Sequence, residues 1–300
     1  MKKAVSVSLG SSARDKSVIV DFDGEPVSLE RIGTDGDAEK LRNLCIELDG
    51  EVDALAIGGA DLYYRLGGRE YPARAVVKLV KGVCQTPVVD GRGLKHNTLE
   101  RRVFELAMPA LGEMQRFERA FVPVALDRQG LARAVEEVAD EVIYGDLMVA
   151  LGIPIVVRGF DSYCRVARVL LPFVCRFPLS MIYYGSDEKD PEPRYHRYWE
   201  MCDLIAGDFM FMRKYMPLDM SGKTVITNTT TDENIELLRE RGVRTVITTT
   251  PRYEGRSFGT NMMEAALTAY AGKGRQLTDD ELNALIDQLD IRPTVEILNG

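Results

Sequence analysis

Histidine is nearly absent from this chain: two in 300 residues, His96 and His196. The five cysteines, Cys45, Cys84, Cys164, Cys175 and Cys202, form no CxxC pair. That leaves no zinc pattern, and no metal site is predicted. Most of the thiols sit in apolar segments and are expected to be buried and free. No apolar run is long enough to span a bilayer. The start, Met1-Lys-Lys-Ala-Val-Ser-Val-Ser-Leu-Gly10, lacks the apolar core of a signal peptide, so a cytoplasmic protein without a membrane partner is expected. Positive charge is in deficit, with 38 basic against 46 acidic residues and a net charge of −8. Nucleic-acid binding needs a positive field, so no nucleic-acid partner is expected and any anion site must be local. Also missing are G-x-G-x-x-G, G-x-x-x-x-G-K-[ST] and G-x-S-x-G. The pairs Gly58-Gly59 and Gly67-Gly68 have the wrong spacing for a dinucleotide turn.

What remains is ordinary globular material, 45% hydrophobic and 28% charged. The opening is β-rich, with alternating or β-branched runs at 3–9, 17–22 and 27–32. After residue 35, strand and helix patterns alternate almost to the end. Asp37 and Thr278 are placed as helix caps, and Thr294 to Leu298 reads as a last strand. Pro178 to Tyr184 also reads as running into a strand. The pattern predicts an α/β chain of two Rossmann-like layers with mostly parallel sheets and a β-rich start. The length fits a substrate-side domain over 1–116 and a cofactor- or anion-side domain over 117–300.

Three segments share one plan: aspartate, apolar strand, glycine, aspartate. They are Asp53 to Asp61, Asp140 to Asp146 and Asp203 to Asp208. In open parallel sheets the ligand crevice lies beyond the carboxyl ends of the strands. Asp61, Asp146 and Asp208 are expected there, either as caps or as acceptors for the hydroxyls of a polar metabolite.

The densest stretch of donors follows the buried run Val243 to Ile247. It carries Thr248, Thr249, Thr250, Arg252, Gly255, Arg256, Ser257, Gly259, Thr260 and Asn261, then a helix from about Met262, with Thr260 or Asn261 as its expected cap. A strand feeding a helix through such a loop gathers backbone N–H groups, hydroxyls and guanidinium forks where a phosphate or carboxylate could sit. A second turn of this kind, Thr227-Asn228-Thr229-Thr230-Thr231-Asp232, is expected to be its neighbour in space. Thr231 or Asp232 would be its cap.

A third strand-to-helix connection holds acid–base residues: Asp90-Gly-Arg-Gly-Leu-Lys95-His96-Asn-Thr-Leu-Glu100. Lys95 and His96 are candidate proton carriers, with Asp90 or Asp61 to orient Lys95. Each has a plainer reading as a solvated loop residue. His196, in the aromatic run Tyr195 to Trp199, better suits a lid, a packing surface or a homodimer contact.

Four segments resemble the bacterial family labelled quinate 5-dehydrogenase. They are Val7-Ser-Leu-Gly-Ser-Ser12, Thr86-Pro-Val-Val-Asp-Gly-Arg-Gly-Leu-Lys95, Gly222-Lys-Thr-Val-Ile-Thr-Asn-Thr-Thr-Thr231, and the run from Thr248 through Asn261. The resemblance implies NAD- or NADP-dependent oxidation of a hydroxylated carboxylic acid such as quinate or shikimate. It also implies two α/β domains, substrate half first. On that reading Lys95 is the acid/base, and Asn228, Thr229, Thr230, Thr249, Thr250, Arg252, Arg256, Ser257, Gly259, Thr260 and Asn261 hold the cofactor phosphates. Asp146 and Asp208 contact substrate. Two other expectations stand beside it: a transferase or lyase acting on a phosphorylated metabolite, and a non-catalytic ligand sensor.

Overall fold

The computed structural model describes residues 1–113, 116–182, 195–253 and 255–300. The charged loop Ser186 to Pro193, part of the expected boundary after residue 113 and the end of the strand expected over Pro178 to Tyr184 lie outside them.

In chain order the first elements are β1 (Lys2–Ser8), β2 (Lys16–Phe22), β3 (Glu25–Gly33), α1 (Ala38–Glu47), β4 (Ala54–Gly58), β5 (Tyr63–Leu66), β6 (Arg69–Pro72), α2 (Arg74–Val77), β7 (Val88–Val89) and α3 (Arg92–His96). Next come α4 (Val103–Leu111), β8 (Phe117–Val122), α5 (Gln129–Val138), β9 (Ala139–Tyr144), α6 (Asp146–Val149), β10 (Val157–Arg158), α7 (Phe160–Val174), α8 (Leu179–Ile182) and α9 (His196–Glu200). The chain ends with β11 (Leu204–Ala206), α10 (Phe209–Tyr215), β12 (Thr224–Thr227), α11 (Asp232–Glu240), β13 (Thr245–Thr248), the hairpin β14 (Arg252–Tyr253) and β15 (Arg256–Ser257), α12 (Thr260–Ala271), α13 (Asp279–Gln288) and β16 (Thr294–Ile297).

The fold is α/β with mostly parallel, Rossmann-like sheets. The chain divides into two compact units. The first takes Met1–Leu94, Arg168–Asp187 and Gly259–Asp290; the second takes Lys95–Ala167, Glu188–Phe258 and Ile291–Gly300. This differs from the single cut expected at residue 116. Residues from Lys95 onward, α4 included, pack with the second sheet, α4 lying against α5 and β16. Meanwhile α12 leaves the second unit and packs on β1, β3 and β4 of the first.

The first unit's sheet runs β2-β3-β1-β4-β7. β3, β1, β4 and β7 are parallel, and β2 is an antiparallel edge. Its central strands are buried through Val5, Val7, Leu55 and Ile57. α12 is covered almost throughout, with Met262, Met263, Ala265, Ala266, Leu267 and Ala269 all inside. A helix apolar on every side belongs in a core. Its first turn fits because two positions near it lack a side chain. A Cβ on Gly91 would stand 2.6 Å from the Asn261 nitrogen, and one on Gly58 3.2 Å from Asn261 Nδ2. Asp37 caps α1 as expected, accepting from Glu39 and Lys40 nitrogens at 2.9 Å.

The second unit's sheet runs β10-β9-β8-β11-β12-β13-β16. Its five central strands are parallel, and β10 and β16 are antiparallel edges. Counted within this unit, the parallel strands stand in the order 2-1-3-4-5. The connections therefore reverse direction between β8 and β11, the point where such sheets open a crevice at the carboxyl ends of their strands. Phe121, Ile143, Ile205, Val225, Val246 and Trp199 fill the core beneath it.

The Asp–strand–Gly–Asp plan has a structural meaning at both ends. The first aspartates tie strand starts together. Asp53 accepts from the Lys3 nitrogen at 2.8 Å, Asp203 from the Glu118 nitrogen at 3.2 Å, and Asp140 binds Arg116. Two other expectations fail. The segment after Pro178 forms the short helix α8 instead of entering a strand. The cap of α12 is Gly259, with no side-chain hydrogen bond, in place of Thr260 or Asn261.

Candidate functional site

At the carboxyl ends of β8, β9, β11 and β12, the second unit gathers six charged side chains from distant parts of the chain. β8 leads into Val124-Ala-Leu-Asp127-Arg128, and Arg128 is the residue before α5. Its guanidinium pairs with Glu100, reaches Asp208 Oδ2 at 2.9 Å, and stands 3.6 Å from Asp127 Oδ2. Glu100 is fully buried and the Arg128 side chain is only 3% exposed. A buried guanidinium is tolerable only with such partners, and its planar fork can serve several carboxylates at once. Asp208 also caps α10, accepting from the Met210 nitrogen at 2.9 Å. Asn228 completes the network, with its amide oxygen turned to Arg128. It accepts from Arg128 Nη2 at 2.6 Å and donates to Asp208 Oδ2 at 3.2 Å.

Lys95 enters from α3, its Nζ 3.5 Å from Asp127 Oδ2. The approach depends on Gly130, because a Cβ there would collide with the carbonyl oxygens of Lys95 and His96. Asp146, opening α6, accepts from the Ala125 nitrogen at 3.0 Å and the Leu126 nitrogen at 2.9 Å. That fixes the loop carrying Asp127. Burial pushes the Asp146 carboxyl up to about 7, against these amide donors, and the nearby Asp127 charge adds to the rise. Burial likewise pushes Glu100 up to about 7, opposed by Arg128 and Lys95. Carboxyl groups that titrate near neutrality are suited to passing protons.

Some polar atoms of this cluster have no hydrogen-bond partner among the described residues. They are Glu100 Oε2 and Asp127 Oδ1. Buried polar groups in folded proteins are nearly always paired, so these two oxygens are acceptors for which a partner is wanted. Thr229, next to Asn228, adds backbone strain. Its φ of +53° is rare for a β-branched residue.

The expected site residues divide sharply. Lys95, Asp146, Asp208 and Asn228 come together here. Asp90 lies in the first unit, where its Oδ2 accepts from the Leu62 and Tyr63 nitrogens at 2.8 and 3.3 Å, and its Oδ1 from the Arg92 nitrogen at 3.1 Å. Three amides make it a brace for the first unit. Asp61 lies beyond the end of β4, also in the first unit. His96 is buried, 5% exposed, against the plainer reading of an exposed loop residue.

The expected phosphate loop is taken apart by its own contacts. Thr230 and Ser257 hold each other, with hydroxyls 2.9 Å apart and the Thr230 nitrogen donating to Ser257 Oγ at 2.8 Å. The two loops are thus neighbours, as expected. The Thr250 hydroxyl donates to the Phe258 carbonyl at 2.6 Å. Arg252 is clamped by Asp232 and Glu296, and donates to the Gly255 carbonyl at 2.9 Å. Thr229 Oγ1 is 3.2 Å from the Asn228 amide oxygen. The amides of α11 are served by a capping box, Thr231 with Asn234, and Asp232 and Glu233 place negative charge in its first turn. Arg256 is buried in β15, and Thr249 Oγ1 is buried without a partner among the described residues. Gly259, Thr260 and Asn261 belong to the first unit, where Asn261 Nδ2 donates to Ser6 Oγ at 2.8 Å. Thr230, Thr250, Ser257 and Arg252 thus place polar atoms on one another and on neighbouring carbonyls and carboxylates.

Sequence reasoning missed Asp127, Arg128 and Glu100. The first two sit in Ala125-Leu-Asp-Arg-Gln-Gly130, a turn that only the sheet order places at the switch point. A polar turn follows a buried strand there, at the first βα connection of a new sheet. Among the described residues no group of three or more His, Cys, Asp or Glu side chains is arranged to hold a metal, and no helix is long and apolar enough to cross a membrane.

Solved structures resemble the chain only distantly. A glucose-galactose binding protein from Geobacillus stearothermophilus is 11% identical, with 99% of this chain and 97% of that one covered, at a TM-score of 0.37. An NAD-dependent malic enzyme from Thermotoga maritima is 11% identical over 95% of this chain and 75% of that one, at 0.39. Aspartate transcarbamoylase from Trypanosoma cruzi is 10% identical over 96% and 81%, at 0.32. Likenesses this weak say nothing of ligand or reaction. No curated protein matches the chain. Two family models do: one described as Domain of unknown function (DUF8753) matches residues 3–90, and one described as Domain of unknown function (DUF8754) matches residues 93–298. The second spans more than half of the sequence, and the chain belongs to that DUF8754 family.

Proposed function

We propose that this chain is a small-metabolite enzyme that moves a proton at a hydroxyl or carbonyl carbon substituent of a polyhydroxylated substrate, with Lys95 as the acid/base and Asp127 as its partner. The observation that carries this reading is the Lys95–Asp127 pair, 3.5 Å apart and largely buried, at the switch point of the second sheet. Asp127 orients the Lys95 Nζ, whose N–H groups can donate to a substrate oxygen. Arg128 and Asn228 hold the surrounding carboxylates in place, and Asp146 fixes the loop that carries Asp127. The partnerless oxygens of Glu100 and Asp127 are acceptors, which suit the hydroxyls of a substrate and disfavour its phosphates.

Quinate and shikimate are the first substrates to try, because the resemblance in the sequence points to hydroxylated acids. The redox form of the reading requires a nicotinamide; absorbance of the reduced cofactor with quinate tests it directly. The decisive pair of measurements is ligand affinity and turnover in Lys95→Met. Retained binding with turnover reduced about 10²–10⁴-fold supports the acid/base role. Tight binding without turnover in the wild type instead identifies a sensor.

A further inference from the structure

The chain carries 46 acidic residues in 300, yet two stretches hold none: residues 71–89 and 162–182. At the average frequency the two together would hold about six carboxylates. They carry cations instead: Arg74, Lys78, Lys81, Arg165, Arg168 and Arg176. The fold joins these stretches within the first unit. The Arg74 nitrogen, opening α2, donates to the Cys175 carbonyl just past α7 at 3.0 Å, and Cys175 Sγ donates to the Tyr71 carbonyl at 3.7 Å. Arg74, Lys78, Arg168 and Arg176 are all exposed. Glu70, the carboxylate that precedes the first stretch, leans to Arg92, 3.5 Å from its Nη1.

α7 turns a mixed face outward. Leu171 and Cys175, four apart, are buried, whereas Val169 and Phe173, also four apart, are 65% and 60% exposed. The Arg176 nitrogen donates to the Phe173 carbonyl at 2.9 Å, which carries the turn on, and α8 adds Met181, 51% exposed. Single apolar residues on a surface need no explanation, but here three stand within a short stretch among cations and without an anion. We propose that this face of the first unit docks on an anionic lipid surface. Val169, Phe173 and Met181 enter the headgroup boundary, and Arg74, Lys78, Arg168 and Arg176 meet lipid phosphates. The charge pattern selects a lipid surface over a protein partner. A bilayer presents a continuous negative plane, which favours a facing surface free of carboxylates throughout; a protein partner needs only a few matched pairs. Arginine forks suit phosphate oxygens, and separate apolar side chains can each enter the acyl boundary without a fitted pocket. The Debye length at physiological salt is about 8 Å, so the patch acts locally although the net charge is −8. The expectation of no membrane partner rests on the lack of a span, which a surface contact does not need.

The test is co-sedimentation of the full chain with vesicles in about 0.15 M salt. One set is phosphatidylcholine alone; the other contains phosphatidylglycerol as about a third of its lipid. Expected is pelleting with the anionic vesicles and none with the neutral ones. Arg168→Gln with Arg176→Gln should weaken it about thirtyfold, and Phe173→Gln about tenfold. These side chains are exposed, so melting temperatures should stay within about 2 °C of wild type. No pelleting with anionic vesicles, equal pelleting with neutral ones, or pelleting that these variants leave unchanged overturns the proposal. Sedimentation equilibrium without vesicles covers the other occupant. A dimer that Phe173→Gln breaks, with both vesicles inert, gives the face to a second copy of the chain and overturns lipid docking.

Discussion

Lys95 Nζ and Asp127 Oδ2 stand 3.5 Å apart, although one arrives on a short helix after the first sheet and the other on the loop leaving the first strand of the second. Neither is placed by chance. Gly130 admits the backbone of Lys95, and Asp146 clamps the two residues before Asp127. A surface ion pair is seldom held this firmly from both sides.

Gly130→Ala tests the closeness of that approach. The added methyl meets two carbonyl oxygens and must push α3 and α5 apart. Overpacking of this kind costs about 1–3 kcal/mol, more than the helix propensity it gains. Urea denaturation should show a loss in that range. Turnover, once a substrate is known, should fall further than stability does, because Lys95 is displaced.

Arg128→Met should be far more damaging. It leaves Glu100 fully buried without its partner and strips a ligand from Asp208. Removal of one member of a buried ion pair typically costs about 3–5 kcal/mol. Equilibrium unfolding checks the size. Arg128→Lys should recover only part of the loss, since a single ammonium cannot serve Glu100, Asp208 and Asn228 together.

Stability should fall as the solution is made less acid. Glu100 and Asp146 have ordinary values of 4.5 and 3.8, and burial raises both to about 7 in the folded chain. The folded state therefore holds these protons more tightly than the unfolded one. Its advantage is greatest below the ordinary values, declines between them and about 7, and is flat above. Unfolding free energies at about pH 5 and about pH 8 should differ in that direction. Glu100→Gln should shrink the difference.

Arg252→Gln separates a structural arginine from an anion-binding one. Arg252 is held by Asp232, which is mostly exposed, and by Glu296. The substitution should cost about 1 kcal/mol or less and leave ligand affinity where it was. A large change in affinity, measured by calorimetry, would return Arg252 to the site.

The periodic parts of this fold were readable. The repeated strand endings located β4, β9 and β11; Asp37 and Thr278 were recognisable caps, and Thr231 was one of two candidates with Asp232, because such hydrogen bonds are local. Lys95 was visible as a lysine between a strand and a helix. Its partner was not. Asp127 lies in a turn of ordinary composition, and only the sheet order places that turn at a switch point. Arg252 misled for a similar reason: an arginine in a polar loop reads as open to a ligand until Glu296 is seen beside it. The home of α12 was equally hidden, since strand, loop and helix look alike in sequence whichever sheet receives the helix.

That last feature bears on how the protein is made. The sheet of the first unit emerges from the ribosome early, but the helix that covers β1, β3 and β4 is translated only after residue 259. Until then the nascent chain displays an apolar strand face with no lid. A fragment ending near Leu94 should accordingly aggregate, and a synthetic peptide carrying Thr260–Ala271 should rescue its solubility by docking in trans.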